Sequence, residues 1–278
     1  MTAVTGTNWT AYDAATMTAR EIYGRTLAQM GKTNEKIVGV TADLSKTTAI
    51  VHFEKAFPDR FFNVGIAEQN MMGIAAGLAK AGLIPFASTM AVFASMRAGE
   101  QVRTDIAYQN LPVKIIATHA GISFGHAGTT HHCTEDIAIM KSMANMTVIC
   151  PADGIETSKA VRACIDVPGP VYIRIGRGFE PPVYESEGYN YKIGKAITMN
   201  EGTDFTIIAC GIAVLQSIQA AKTLKEQDGL SVRVVNMHTI KPIDEVAILN
   251  AVKDTRRILT VEEHNIIGGL GDSVASVI

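Results

Sequence analysis

The chain has 278 residues, 47% of them hydrophobic and 19% charged, and its 25 Lys and Arg nearly balance 27 Asp and Glu for a net charge of −2. That length can bury a large core and divides most simply into two domains. The scattered basic residues exclude a nucleic-acid footprint or a membrane-surface patch, and no apolar stretch reaches the roughly 18–20 residues that cross a bilayer. The start, M-T-A-V-T-G-T-N-W-T, has neither a basic segment nor an apolar run, so a cytoplasmic protein is expected. Cys133, Cys150, Cys164 and Cys210 lie far apart with no Cys-x-x-Cys pair, which speaks against a zinc site or a disulfide framework.

In chain order, Thr10 to Met30 reads as one helix, with Ala, Ile, Tyr and Leu at helical spacing and Gly31 as its stop. Strands are predicted over 36–43, 60–65, 84–88, 113–118, 147–150 and 171–175, with helices over 67–81, 90–108, 134–144 and 153–167. Continuous apolar strands alternating with helices predict a mainly parallel sheet covered on both faces. Gly176 to Tyr191 breaks the rhythm with Pro181-Pro182 and several charges. The expected division is a first domain over 1–180, a linker over 181–191 and a smaller domain over 192–278. The second domain repeats the pattern, with strands over 205–210, 232–237 and 257–262 and helices over 213–226 and 244–252. Gly268-Gly269-Leu270-Gly271 then opens a last helix, and since such a domain normally closes with a further strand and helix, an open end is expected at Ile278. The fold class expected is α/β, with two doubly wound domains.

Ligands of such sheets sit beyond the carboxyl ends of the strands. Those ends carry Asp43, Gly65 to Glu68, Ser88-Thr89, His119 and Arg174 to Arg177. In F-N-V-G-I-A-E-Q-N-M-M-G-I-A-A-G-L-A-K (62–80), a turn at Gly65 leads into a helix with Ala, Gly and Met on nearly every face, and Glu68 stands at its start. Small residues all round predict a helix packed on all sides by other backbone, so Glu68 is expected at the mouth of a buried element and in need of a partner. The plainer reading is a first-turn carboxylate facing the positive end of the helix dipole, worth ~0.3–1 kcal/mol. Met90, Phe93 and Met96, at i, i+3 and i+6, read either as a core stripe or as an apolar slot for an aromatic ring.

Thr118 to His132, T-H-A-G-I-S-F-G-H-A-G-T-T-H-H, places four of the seven histidines in one loop with three glycines. No Asp, Glu or Cys shares that loop, so hydrogen bonding or proton transfer at a hydroxylated substrate suits His119, His126, His131 and His132 better than metal binding, and no metal ligands are assigned. Arg174 and Arg177, in V-Y-I-R-I-G-R, either brace the linker or grip an anion such as phosphate or sulfonate. The chain contains no G-x-x-x-x-G-K loop, no strand followed by G-x-G-x-x-G and no G-x-S-x-G elbow.

Together A-R-E-I-Y-G-R, T-A-D-L-S, F-N-V-G-I-A-E-Q-N, I-P-F-A-S-T-M-A-V-F, I-A-T-H-A-G-I-S, the Gly128–His131 turn, I-C-P-A-D and V-Y-I-R-I-G-R resemble the thiamine-diphosphate enzymes of the transketolase family, from about Met17 to the end. The likeness is strongest to the separate C-terminal subunit of two-component transketolases, and more distant to deoxyxylulose-phosphate synthase and the 2-oxo acid dehydrogenase beta subunit. By that resemblance Glu68 hydrogen-bonds N1′ of the cofactor's aminopyrimidine and so favours the tautomer that removes the cofactor's own C2 proton. Phe93 would lie under the pyrimidine, with Met90 in place of a common aromatic, Met96 nearby, and Asp43 near the cofactor and the subunit contact. Arg20, His119 and Arg177 match positions that hold a substrate's terminal phosphate, with Thr47 in place of a serine, and His131 matches the histidine at the sugar hydroxyls near the reacting carbons.

One departure bears on substrate. The family's G-E-D-G is here G-H-A-G, with His126 and Ala127, so a carboxylate that reads a substrate hydroxyl is missing. Sites built to bond a hydroxyl discriminate for it by ~10⁴–10⁵ in good cases, so an unusual ketose, with another anion at its far end, is an open expectation. The family's G-D-G…N segment for the diphosphate and Mg²⁺ is also missing from this chain. The resemblance therefore implies a partner chain with the diphosphate-binding domain, in an α2β2 assembly. The activity implied is transfer of a two-carbon ketol unit from a ketose, phosphorylated sugars first, to an aldose. The rival readings are a 2-oxo acid dehydrogenase beta subunit and a non-catalytic assembly subunit.

Overall fold

The computed structural model describes residues 9–178 and 180–278; most of the N-terminal stretch read above, residues 1–8, lies outside them. The opening helix is two, α1 (Ala11–Thr16) and α2 (Ala19–Gly31). Thr10 and Asp13 cap the first reciprocally, and the Thr18 hydroxyl accepts the Glu21 N–H to start the second. Periodicity runs through the break, whereas the two N-cap threonines mark it. A helix not foreseen, α3 (Val51–Ala56), follows β1 (Ile37–Thr41).

The remaining strands are β2 (Phe61–Asn63), β3 (Ile84–Met90), β4 (Lys114–Thr118), β5 (Thr147–Ile149), β6 (Val171–Arg174), β7 (Ile197–Asn200), β8 (Phe205–Ala209), β9 (Val232–Asn236), β10 (Thr239–Lys241) and β11 (Ile258–Val261). Among the described residues, one sheet runs β10-β5-β6-β4-β3-β1-β2 and a smaller one β11-β8-β9-β7. The first is parallel except for β10, and the second is parallel except for β7. Every residue of β1, β4, β5 and β6 is buried, as an apolar strand covered by helices on both faces requires. On one face Val40, Ala87 and Ile115 pack with Met71 and Ala75 of the helix Glu68–Lys80 (α4); on the other Phe86, Ile116 and Ile173 pack with Tyr23, Leu27 and Phe53. Each such large side chain contributes about 1.5–3 kcal/mol on burial.

The two halves are stitched together more closely than a linker alone would do. β10, from the second half, pairs antiparallel with β5 at the edge of the first sheet. Asn236 donates to both carboxylate oxygens of the buried Glu156 at 2.9 and 3.0 Å, and the Tyr184 hydroxyl donates to one of them at 3.1 Å. Arg174 donates from Nε to both oxygens of the buried Asp136 (3.1 and 2.9 Å) and from Nη2 to the carbonyls of Cys133 (3.3 Å) and Glu263 (2.7 Å), the last in the second half. Of the two roles open to Arg174 in the sequence, the structure gives the brace. Removing one member of a buried pair strands the other charge, at a cost of ~3–5 kcal/mol, whereas exposed pairs contribute ~0–1. Asp136→Ala is therefore expected to lower unfolding stability by about 3–5 kcal/mol in urea titrations, against less than about 0.5 for Lys222→Ala at the exposed Lys222–Glu226 pair. A similar small loss for both would contradict the role given to Asp136.

Candidate active site

The carboxyl ends of β1, β2, β3, β4 and β6 deliver the predicted residues to one edge of the sheet. Asp43 follows β1 and His119 follows β4, and both have a positive φ, of 58° and 59°. A non-glycine residue is held in that region only where its surroundings fix it, a recurrent property of functional loops. Asn63, at the end of β2, supplies part of the fixing: its side-chain oxygen accepts the N–H groups of Asp43 (3.0 Å) and Gly65 (3.1 Å), locking the turn that precedes Glu68. Sequence reasoning passed over Asn63, although an Asn two residues before a turn glycine is a known turn former.

Glu68 opens α4 and is 2% exposed. Its partner is Arg97, whose Nη1 donates to the two carboxylate oxygens at 2.9 and 3.0 Å and whose guanidinium lies 4.1 Å from the centre of the Phe93 ring. A cavity of about 410 Å³ beside the carboxylate is lined by Ile66, Ala67, Glu68, Gln69, Asn70 and Arg97. The helix itself departs from expectation. Met71, Met72, Ala75, Ala76 and Ala79 are buried, but Gly77 is exposed and a Cβ there would meet nothing within 4 Å. The small residues thus leave one face of α4 open in this chain.

Met90, Phe93 and Met96 do not form a stripe. Met90 ends β3 and is 5% exposed, Phe93 is half-buried, and Met96 is 50% exposed. The cause is a wide helical turn with i→i+5 bonding over Phe93–Arg97, which breaks the 3.6-residue spacing; such turns collect at functional sites. It turns Phe93 towards the histidine loop and lets Arg97 reach both Phe93 and Glu68. Arg97 was missed because its partner is 29 residues away.

The rest of the site hangs on the loop after β4. The Gly121 and Cys133 N–H and C=O groups exchange bonds at its neck (2.9 and 2.8 Å). His119 is 2% exposed, bonds Thr118 Oγ1 through Nδ1 (2.8 Å) and packs edge-on against Phe124 at 4.8 Å. The His131 ring lies between Phe124 (5.0 Å) and Phe93 (5.5 Å). His126 is exposed and touches Phe124 at 5.5 Å. Arg177 is tied to the loop by its N–H to Ser123 Oγ (3.0 Å), and its guanidinium rests 4.9 Å from the Phe124 ring centre. Arg20 donates to the carbonyls of Arg177 (3.0 Å) and Thr47, so Thr47 enters through its backbone. Arg20, His119 and Arg177 are close enough to feel one another's charge: burial first, then Arg20 and Arg177, pushes the His119 imidazole down to about 3. Burial and Arg177 also lower the Arg20 guanidinium from its ordinary value.

Two ends result. One joins a buried carboxylate, the Arg97 guanidinium that links it to the Phe93 ring, and an open cavity, groups that suit a flat nitrogen heterocycle. The other offers two arginines and a neutral imidazole, which fit an anion. His131 stands between them. Among the described residues no group of three His, Cys, Asp or Glu side chains could hold a metal ion.

Comparison with known proteins gives the family of the chain. Residues 15–180 match the model of the transketolase pyrimidine-binding domain, and residues 194–278 that of the transketolase C-terminal domain. The chain is 49% identical over 260 residues to a putative transketolase C-terminal section of Methanocaldococcus jannaschii, covering 93% of this chain and 81% of that protein. It is 40% identical to one subunit of the apulose-4-phosphate transketolase of Phocaeicola vulgatus, covering 93% of this chain and 83% of that protein. A solved structure, described as a split gene transketolase in an inactive beta4 tetramer, superposes with a TM-score of 0.86 at 47% identity over 94% of this chain and 85% of that one. The chain belongs to the transketolase family and carries its pyrimidine-binding and C-terminal domains. The family implies thiamine diphosphate as cofactor.

His119 has a pH consequence. Its folded value lies below the ordinary 6.5, so the folded chain binds fewer protons than the unfolded one between about 3 and 6.5. Stability is therefore expected to be unaffected by His119 above pH 6.5 and to fall as pH drops below it. Denaturant titrations between pH 7.5 and 5 should show a shallower loss for His119→Asn than for the unaltered chain; equal slopes would contradict the assignment.

Proposed function

We propose that this chain is the pyrimidine-binding and C-terminal subunit of a split transketolase, transferring a two-carbon ketol unit from a ketose with a terminal anion to an aldose. The observation that carries this reading is the presence, at one sheet edge, of the buried Glu68, linked to Phe93 through Arg97, and of the Arg20, His119 and Arg177 cluster, with His131 packed between Phe93 and Phe124. Bound thiamine diphosphate supplies the electron sink needed to cleave a ketose carbon–carbon bond. Glu68 holds a hydrogen bond at the pyrimidine nitrogen and Phe93 gives the ring a face to stack on. His131 hydrogen-bonds the sugar hydroxyls beside the reacting carbons. Arg20 and Arg177 hold the terminal anion, and a neutral His119 can donate to it without adding charge. Phosphorylated ketoses are the first candidates, and the exposed His126 with Ala127, where the family has a carboxylate, makes the hydroxyl pattern of the donor the point of difference.

A partner chain is part of this proposal. Around Glu68 the surface is open and mixed, with Ile66 79%, Met96 50% and Phe62 38% exposed alongside Gln69, Asn70 and Arg97, next to the bare face of α4. A patch of that kind suits a contact with another chain. The relatives at 40% and 47% identity are, respectively, one subunit of a transketolase and a split gene transketolase. We assign to the partner the diphosphate-binding domain and Mg²⁺, and to the assembly an α2β2 arrangement, with Asp43 beside the contact.

Substituting Glu68 tests the reading. In the assembled enzyme, Glu68→Ala should keep the same sedimentation behaviour and lower kcat for ketol transfer by about 10²–10⁴, the range of a lost acid–base contribution. Full activity in that variant would end the assignment.

A further inference from the structure

Phe124 carries no polar group for cofactor or substrate, yet the anion-binding and histidine groups of the site lean on it. His119, His131 and His126 meet its ring edge-on, at 4.8, 5.0 and 5.5 Å with interplanar angles of 65°, 77° and 70°. The Arg177 guanidinium sits over it at 4.9 Å. His131 then passes the contact on to Phe93 at 5.5 Å. A continuous chain of rings, Phe93–His131–Phe124–His119, with Arg177 on the third, thus connects the heterocycle slot to the anion cluster. The loop on which Phe124 rides is anchored by the Gly121–Cys133 exchange, by the Ile122 N–H bond to Glu263 (3.0 Å), and by the Ser123 hydroxyl, which donates to the Ala120 carbonyl at 2.6 Å and accepts from Arg177 N–H. Phe124 therefore projects from a fixed base. An aromatic ring offers an electron-rich face to a guanidinium and to ring edges at several angles at once, which an aliphatic side chain of similar volume does not.

We propose that Phe124 is a positioning residue that sets the distance between the terminal-anion site at Arg177 and His119 and the reacting-carbon site at His131, and thereby the preference for ketoses whose anion stands at the matching separation. The inference rests on the ketol-transfer reading above. Arg177 is a long side chain, and the ring face limits where its guanidinium can stand. Without the ring, Arg177 remains charged but no longer has a fixed reach, so donors with a terminal phosphate lose affinity while donors without one lose little. An effect on the loop's folding alone would weaken both kinds of donor together.

The experiment uses the enzyme assembled with its partner chain and compares a ketose phosphate with an uncharged ketose of the same configuration at the reacting carbons. Phe124→Leu is expected to lower the ratio of kcat/KM for the phosphate donor to that for the uncharged donor by about tenfold, chiefly through KM, with thiamine diphosphate affinity and thermal midpoint unchanged. Phe124→Tyr, which keeps the ring, is expected to restore the ratio. In the double variant with Arg177→Gln the two losses should not multiply, because both act through one guanidinium. An unchanged ratio in Phe124→Leu, or equal losses for both donors, would overturn the proposal; so would multiplicative losses in the double variant. Should Phe124→Leu not fold, Phe124→Met takes its place with the same criteria. Ketol transfer by the unaltered assembly in the same assay separates these outcomes from failure of the underlying reading, which an inactive assembly would show.

Discussion

Glu68 sits almost without water at the head of a helix of small residues, and the rest of the site follows from keeping a carboxylate there. A buried carboxylate must be paired or hydrogen-bonded. Here the partner is Arg97, whose own side chain is 48% exposed and reaches in from solvent across the Phe93 face. Charge neutralisation is thus supplied by a half-exposed cation and not by a buried donor. The wide helical turn at Phe93–Arg97 is what brings both side chains to one spot.

The cluster of Arg20, His119 and Arg177 is built on a different principle. It depends on backbone held in a costly conformation and on rings packed edge to face. His119 at positive φ, the Gly125 and Gly128 turns, and the neck between Gly121 and Cys133 together aim the loop. Arg174, which shares a strand end with this cluster, is spent on Asp136 and on two carbonyls, one of them from the second half of the chain. The two arginines of V-Y-I-R-I-G-R therefore divide the work: the buried one joins the domains, and the one three residues on faces the site.

Much of this was legible in the sequence because it is periodic or local. Alternating apolar strands and helices gave the doubly wound sheets, and strand ends gave the positions of Asp43, Glu68, His119 and Arg177. What was not legible depends on contacts between distant residues. β10 joins the first sheet from the far side of the linker, and three residues carry too little pattern to announce it. The split at Met17-Thr18 is written in two N-cap threonines and hidden by the periodicity around them. The Met90, Phe93 and Met96 spacing misled because the wide turn changes the register. A lone Phe in a glycine-rich loop gives no sign that three histidines and an arginine will pack on it.

The most direct measurement is reconstitution: the chain alone, a partner chain carrying the diphosphate-binding domain alone, and the two mixed, each titrated with thiamine diphosphate and Mg²⁺ in a calorimeter and assayed for ketol transfer from a ketose phosphate. Tight cofactor binding and turnover are expected only in the mixture. Turnover by the chain on its own, or a mixture that binds the cofactor and transfers no ketol unit from any ketose, would contradict a site shared between the two chains.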